Sequence, residues 1–448
     1  MDPIVPLRWS QIADFLFPFF RIQNPGSPAD PGRIVTGLID RRMEPLIADG
    51  IDDARIVFVA GARQVGKTTL IRKLTRPGGA RPMRELNLDE TATREAANDD
   101  PAGFVAGLGG PAFIDEIHRA PDLLLELKKA VDADTVPGRF VITGSANVLA
   151  SKKILDALPG RIDGFTLWPL AQTEIEDGRI NFVDALFSGE PPQVTGAPVG
   201  LPAYADRIVA GGFPEARERK PGRSRSRWYD GYLAGSLERD LKDLADVRRG
   251  DEAEHLLRLL ASQSANLFRA DPIGGKIGMD HKTVKSYVGL LRQMHLVHQL
   301  PGWRPGLGAR EATTPKMYVS DTGLLCHLLG ADTRRLLADD QVKGKACETF
   351  VVNELREQAS WAEVETRAYH YQRRDEDVDL VLEDRAGDIA CVEVKAAATL
   401  TSRDWRWLAK LRDARGKSFR AGVIVASVAQ TTPLGDRLWA VPYSSLWS

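Results

Sequence analysis

Residues Gly61–Leu70 read GARQVGKTTL and follow directly on the apolar run Ile56–Ala60, IVFVA. The spacing Gly61, Gly66, Lys67, Thr68 satisfies G-x-x-x-x-G-K-[ST] between a predicted strand and a helix-capable run, Thr69–Leu74. Glycines let successive backbone N–H groups converge on phosphate oxygens, and the helix that follows adds the positive end of its dipole. The pattern therefore predicts a nucleotide phosphate cradle built from Gly61, Ala62, Arg63, Gln64, Val65, Gly66, Lys67, Thr68 and Thr69. Lys67 would reach the β- and γ-phosphates and the Thr68 hydroxyl would ligate magnesium, so the expected ligands are ATP and Mg2+.

A site of this kind needs a second apolar strand that ends in an acid. Ala112–Glu116, AFIDE, supplies it: Asp115 is expected on the metal side, and Glu116 as the acid that orients or activates the attacking water. Further on, FVITGSAN places Thr143 and Ser145 at the end of another strand, where small hydroxyls sense the γ-phosphate. In LPGRIDGFTLWPL, Arg161 is a candidate for an arginine donated across a subunit boundary, which implies a homo-oligomer.

The rest of the chain sets the context. Its 448 residues allow two to four domains. Sixty Lys+Arg against sixty-one Asp+Glu leave any nucleic-acid contact to local clusters rather than a global field. Cys326, Cys347 and Cys391 are too few and too scattered for a disulfide framework or a zinc site, which fits a reducing cytoplasm. The apolar stretch Ile12–Phe20 is short and interrupted by Asp14 and Pro18, so no membrane span or secretion signal is expected. Asn24–Gly32, NPGSPADPG, has linker composition and sets residues 1–32 apart as an appendage. Alternating apolar strands and helices then predict a parallel α/β sheet over 33–200. Helices dominate 201–335, and alternation returns over 336–448.

These segments resemble a family of prokaryotic AAA-type P-loop ATPases whose ATPase domain precedes a characteristic C-terminal region with a winged helix and a restriction-endonuclease-like domain. The resemblance covers nearly everything after Arg33. It rests on GARQVGKTTL, FIDEIH, ITGSAN, LPGRI with LWPL, GGFPEA, WYDGYLAGSLERDL, YVSDTGLL and VDLVLE with CVEVK. It implies Lys67, Thr68, Asp115 and Glu116 as the nucleotide site and strengthens Arg161 as a finger.

In the middle region, DPIGGKIGMDHKTVKSYVGLLRQMHLV fits a helix-turn-helix followed by a wing. Asp280 is its N-cap, Val284, Tyr287, Val288, Leu291 and Met294 its apolar stripe, and Lys282, Lys285, Ser286 and Arg292 its solvent face. RERKPGRSRSR, Arg217–Arg227, carries six basic residues and one acid and is expected as a phosphate-binding loop. Both point to DNA as a partner.

Near the C-terminus, DVDLVLEDRAGDIACVEVK predicts a hairpin turning at DRAGD, with Glu393 and Lys395 on one face of the second strand and Asp379 on the first. An Asp beside Glu-x-Lys is the arrangement of restriction-endonuclease-like nucleases, in which carboxylates hold Mg2+ and the lysine acts at the phosphodiester. Glu348 falls on a helix stripe with Val351, Val352 and Leu355, and a buried carboxylate there calls for a cation. The expectation is a metal held by Glu348, Asp379 and Glu393, with Lys395 catalytic. The chain is thus expected to be a cytoplasmic ATP-hydrolysing protein that binds and processes DNA. The rivals are an ATP-switched regulator with an inert C-terminal domain, and a protein scaffold.

Overall fold

Ile56–Ala60 (β1) is wholly apolar and wholly buried, as a strand covered on both faces requires. A computed structural model describes residues 37–144, 160–190, 194, 200–244, 250–305 and 313–448, the side chains of 239–244 and 250 excepted. The appendage expected at 1–32 lies outside them. β1 joins Arg84–Asn87 (β2), Ala112–Asp115 (β3), Phe140–Gly144 (β4) and Ile162–Thr166 (β5) in an all-parallel sheet of order β2-β3-β4-β1-β5. Alternate residues serve opposite faces. Val57, Val59, Phe113 and Val141 enter one core, while Ile56, Phe58, Ile114 and Ile142 enter the other. β5 is an addition to the expected strands: its sequence, IDGFT, lacks the apolar run of β1, β3 and β4, and it lies at the sheet edge, partly exposed, as β2 does at the other edge. Helices α1 (Glu44–Asp53), α2 (Lys67–Thr75), α3 (Leu123–Ala133) and α4 (Gln172–Ile175) belong to this region.

In the middle region, helices α5 (Arg223–Leu244) and α6 (Gly250–Ser262) precede a strand, β6 (Asn266–Leu267). Two helices follow, α7 (Ala270–Ile277) and α8 (His281–Gln293), and then strands β7 (Val297–Leu300) and β8 (Lys316–Val319). The three strands form an antiparallel sheet of order β6-β8-β7. Asp280 caps α8 by accepting from the backbone N–H groups of Lys282 at 2.8 Å and Thr283 at 3.1 Å. Val284, Tyr287, Val288, Leu291 and Met294 are buried, whereas Lys282, Lys285, Ser286 and Arg292 are exposed. The expected amphipathic stripe is therefore the observed one.

The C-terminal region opens with α9 (Asp340–Ala359), followed by strands β9 (Thr366–Arg373), β10 (Glu376–Asp384) and β11 (Ile389–Lys395). Helix α10 (Arg406–Arg415) leads to β12 (Phe419–Ala426), β13 (Thr432–Gly435) and β14 (Leu438–Pro442). The six strands make one mixed sheet of order β13-β14-β12-β11-β10-β9. β10 and β11 form the expected hairpin, with Leu380 opposite Val392, while β11 and β12 run parallel across the α10 crossover. One extra residue enters β10 between Val378 and Val381, a bulge that sets the direction of the Asp379 side chain.

Residues Ile34–Ser448 cluster as one unit, and a single core runs through all three regions. Among the described residues no helix is long and apolar enough to cross a membrane.

Candidate functional site

The loop after β1 has the conformation its glycines predict. Gly61 has φ +150°, and a Cβ there would fall 2.2 Å from the Leu167 carbonyl oxygen; Gly66 has φ +99°. The Lys67 ammonium is buried against the loop itself, donating to the carbonyl oxygens of Gly61 at 2.9 Å and Ala62 at 3.0 Å. Asp115, at the end of β3, accepts from Thr68 Oγ1 at 2.8 Å through one oxygen and from Thr143 Oγ1 through the other. Burial pushes the Asp115 carboxyl up, and these two hydroxyls oppose it. Hydroxyl and carboxylate oxygens at the mouth of a glycine loop are the donor set that Mg2+ bound to a triphosphate requires, so the residues present fit the ion.

Glu116 stands beside them with left-handed backbone, φ 58° and ψ 46°, and its N–H reaches Thr143 Oγ1 at 3.3 Å. Burial alone would raise its carboxyl. His118, 3.1 Å away, together with the Lys67 and Arg63 charges, holds it down to about 2. Ser145 lies outside the described residues.

Arg161 sits at the other end of the sheet. Its carbonyl accepts from Ile56 N, so it lies where β1 and β5 begin, whereas the glycine loop follows where β1 ends. Five strand residues separate the two edges by about 17 Å. Its guanidinium pairs with Asp132 of α3. Arg161 is therefore remote from the glycine loop of its own chain.

Several residues around the loop escaped the sequence reading. Arg41, with only 8% of its side chain exposed, donates to Glu174 Oε1 at 3.0 Å, to the Val65 carbonyl at 2.9 Å and to the Trp168 carbonyl at 2.6 Å. A cavity of about 320 Å³ lies against the loop, lined by Leu38, Ile39, Val65, Leu70, Pro214 and Arg217 among others. Burial lowers the Arg217 guanidinium to about 10. The Arg217–Arg227 stretch is not the loop expected from its composition, and two of its six basic residues, Arg217 and Arg225, turn inward while Arg219, Lys220, Arg223 and Arg227 stay exposed. It is largely helical: Arg217 donates to the Gly211 carbonyl at 2.8 Å, Arg225 to the Ala216 carbonyl at 3.0 Å, and Arg219 pairs with Glu215. Arginine's long apolar stem allows this burial, which a count of charges does not reveal.

Trp168, just after β5, is where the three regions meet. Arg356 of α9 stacks on its ring at 3.9 Å, and His295 from the turn before β7 meets it edge-on at 5.6 Å. Burial, aided by the Lys67 and Arg356 charges, pulls His295 down to about 3, so it is neutral at physiological pH. Two residues before Arg356 on α9, Glu354 accepts from Gln172 N at 2.7 Å, Thr173 N at 3.2 Å and Thr173 Oγ1 at 2.9 Å, which caps α4.

Glu348 and Asp379 do converge, but on a lysine. Lys316, at the start of β8, places Nζ 3.0 Å from Glu348 Oε1, 3.2 Å from Asp379 Oδ1 and 3.7 Å from Asp377 Oδ1. Tyr318 donates to the same Glu348 oxygen at 2.8 Å, and Asp379 Oδ2 accepts from Val394 N at 2.9 Å. Glu393 accepts from Lys395 Nζ at 2.7 Å instead of joining them. Among the described residues no group of three or more His, Cys, Asp or Glu side chains is arranged to hold a metal ion. The carboxylates expected to hold a metal, Glu348, Asp379 and Glu393, thus stand around two lysines, Lys316 for the first two and Lys395 for the third. As they stand the residues do not fit Mg2+ there, because each of the three carboxylates turns one oxygen to an ammonium group placed where the ion would sit.

With this geometry in hand, the similarities to known proteins follow its layout. Residues 53–176 match the AAA domain, residues 201–335 a domain of unknown function (DUF8612), and residues 343–446 another (DUF4143). A solved structure, the Signal Transduction ATPase with Numerous Domains (STAND) protein with a tetratricopeptide repeat sensor PH0952 from Pyrococcus horikoshii, is 13% identical with a TM-score of 0.24. That similarity covers 72% of this chain and 46% of the other. The uncharacterized proteins Mb2031c of Mycobacterium bovis and Rv2008c of Mycobacterium tuberculosis are each 30% identical over 420 residues, which is 92% of this chain and 86% of theirs. The chain belongs to the family of these two mycobacterial proteins, with an AAA-type P-loop domain as its nucleotide-binding part.

Proposed function

We propose that this chain is a magnesium-dependent ATPase that works as a nucleotide-controlled switch on DNA. The observation that carries the proposal is the Thr68–Asp115–Thr143 arrangement facing Lys67 and Glu116 across a glycine loop. The loop N–H groups and Lys67 would hold the β- and γ-phosphates, Thr68 and Asp115 would hold Mg2+, and the cavity beside Val65 is sized for the nucleoside. Magnesium, when bound, neutralises charge that develops on the transferred phosphoryl oxygens. Lys67 exchanges its two loop carbonyls for phosphate oxygens, which removes one of the charges that hold Glu116 down. A carboxylate near 2 is a weak proton acceptor, so its part is to accept a hydrogen bond from the attacking water and aim it.

Switching is supported by the contacts of Trp168 with His295 and Arg356, which put the middle and C-terminal regions within one side chain of the loop. Lys67→Ala should lose ATP binding in a fluorescent-nucleotide titration, because the phosphate charge loses its buried cation. Retained affinity would sink the proposal.

DNA contact rests on the middle region. Its order of helix, strand, two helices and two strands is read as a winged helix, and the exposed Lys282, Lys285 and Arg292 lie along α8. Replacing all three by Ala should weaken binding alike for every sequence. The slope of log K against log salt should fall by about 2 to 3, close to 0.9 per phosphate contact. An unchanged slope would exclude this face. The C-terminal region is read as restriction-endonuclease-like in fold, and cleavage of phosphodiesters is not assigned to it.

A further inference from the structure

The C-terminal carboxylate cluster and the lysine that fills it come from different regions. Glu348 lies on α9 and Asp377 and Asp379 on β10, whereas Lys316 belongs to the three-stranded sheet of the middle region. We propose that Lys316 is the resident cation of this cluster: it closes the site to divalent metal and turns it into the ionic joint between the middle and C-terminal regions.

Three observations support the assignment. First, the ammonium is buried, with 6% of the Lys316 side chain exposed, and it lies within hydrogen-bond reach of two carboxylates and 3.7 Å from a third. A lysine pays heavily for such burial unless opposite charges surround it, and here they do. Second, three of the four oxygens of Glu348 and Asp379 are engaged. Glu348 Oε1 serves both Lys316 and Tyr318, and Asp379 divides its two oxygens between Lys316 and Val394 N. Magnesium needs near-octahedral oxygens at about 2.0–2.1 Å, and an ammonium in their midst prevents that approach. Third, the other half of the cluster is neutralised in the same way, by Lys395 on Glu393. The bulge at Asp379 thus aims a carboxylate at a lysine on another region's sheet.

The test uses full-length, nucleotide-free protein and Mn2+, followed by calorimetry and by electron paramagnetic resonance. Wild type should bind no Mn2+ at this cluster. Lys316→Met keeps the length of the apolar stem and removes the charge; it should bind one Mn2+, melt higher in its presence, and lose both effects when Asp379→Asn is added. A wild-type Mn2+ site abolished by Asp379→Asn would overturn the proposal. So would a folded Lys316→Met protein that binds none. If Lys316→Met unfolds without metal, refolding in Mn2+ supports the assignment, and failure to refold in Mn2+ rejects it.

Discussion

Glu116→Gln should bind ATP as tightly as wild type and hydrolyse it about 10²-fold more slowly, the order of loss expected when an attacking water is no longer held in line. Glutamine is nearly isosteric, so the left-handed turn at residue 116 and its N–H contact with Thr143 survive. Lys67 and Thr68 lie outside the change, and phosphate affinity is preserved. What goes is the negative oxygen that draws the water's hydrogen and fixes its line of attack. The electrostatics add a second, sharper expectation. His118, Lys67 and Arg63 keep the folded carboxyl near 2, below the roughly 4.3 of a free glutamate. A depressed value means that the stabilisation is complete above the unfolded pKa and is lost only as pH falls through about 2. The ratio of wild-type to Glu116→Gln turnover should therefore stay flat between about pH 5 and pH 8. A ratio that declines toward pH 5 would show the carboxylate titrating there in the ATP complex, and that His118 and Arg63 do not hold it down once Lys67 has turned to phosphate.

Legibility in the sequence followed the range of the interaction. The glycine loop, the acid pair after β3, the β10–β11 turn and the α8 stripe are all written in consecutive residues or in a helix or strand period, and each appears where expected. β5 was missed because its sequence, IDGFT, carries no continuous apolar run. The ionic contacts were missed for a different reason. Arg41 and Glu174 are 133 positions apart, and Lys316 lies 63 positions from Asp379, separations that leave no periodic trace. Sequence did indicate that a carboxylate at position 348 would be buried and would need a cation. Burial cost is the same whether that cation is a metal ion or an ammonium group, so only the fold could reveal that Lys316 fills the place. Within Arg217–Arg227 the charge count could not single out Arg217 and Arg225, since arginines that end on backbone carbonyls look in sequence like arginines that face water.

Arg41→Ala should cost about 3–5 kcal/mol of stability, the penalty for removing one partner of a buried ion pair. Glu174 is fully buried; without Arg41 it keeps only backbone donors, Arg42 N at 2.9 Å and Ala171 N at 3.1 Å. The same guanidinium also ties the Val65 carbonyl of the glycine loop to the Trp168 carbonyl beside the other two regions. Its loss should therefore weaken ATP binding as well as folding. The two effects can be separated. In Arg41→Met with Glu174→Met, no charge is left stranded, and replacing a buried pair by apolar side chains is often neutral or better. Calorimetric stability should recover in the double variant, while ATP affinity should stay low because Val65 still lacks its donor. Arg41→Lys should rescue neither fully, since one ammonium cannot reach a carboxylate and two divergent carbonyls as a planar fork does. If the double variant regains both stability and affinity, Arg41 acts on the loop only through Glu174. The direct bond to Val65 would then be incidental, and the nucleotide state would have to reach Trp168 by a route other than Arg41.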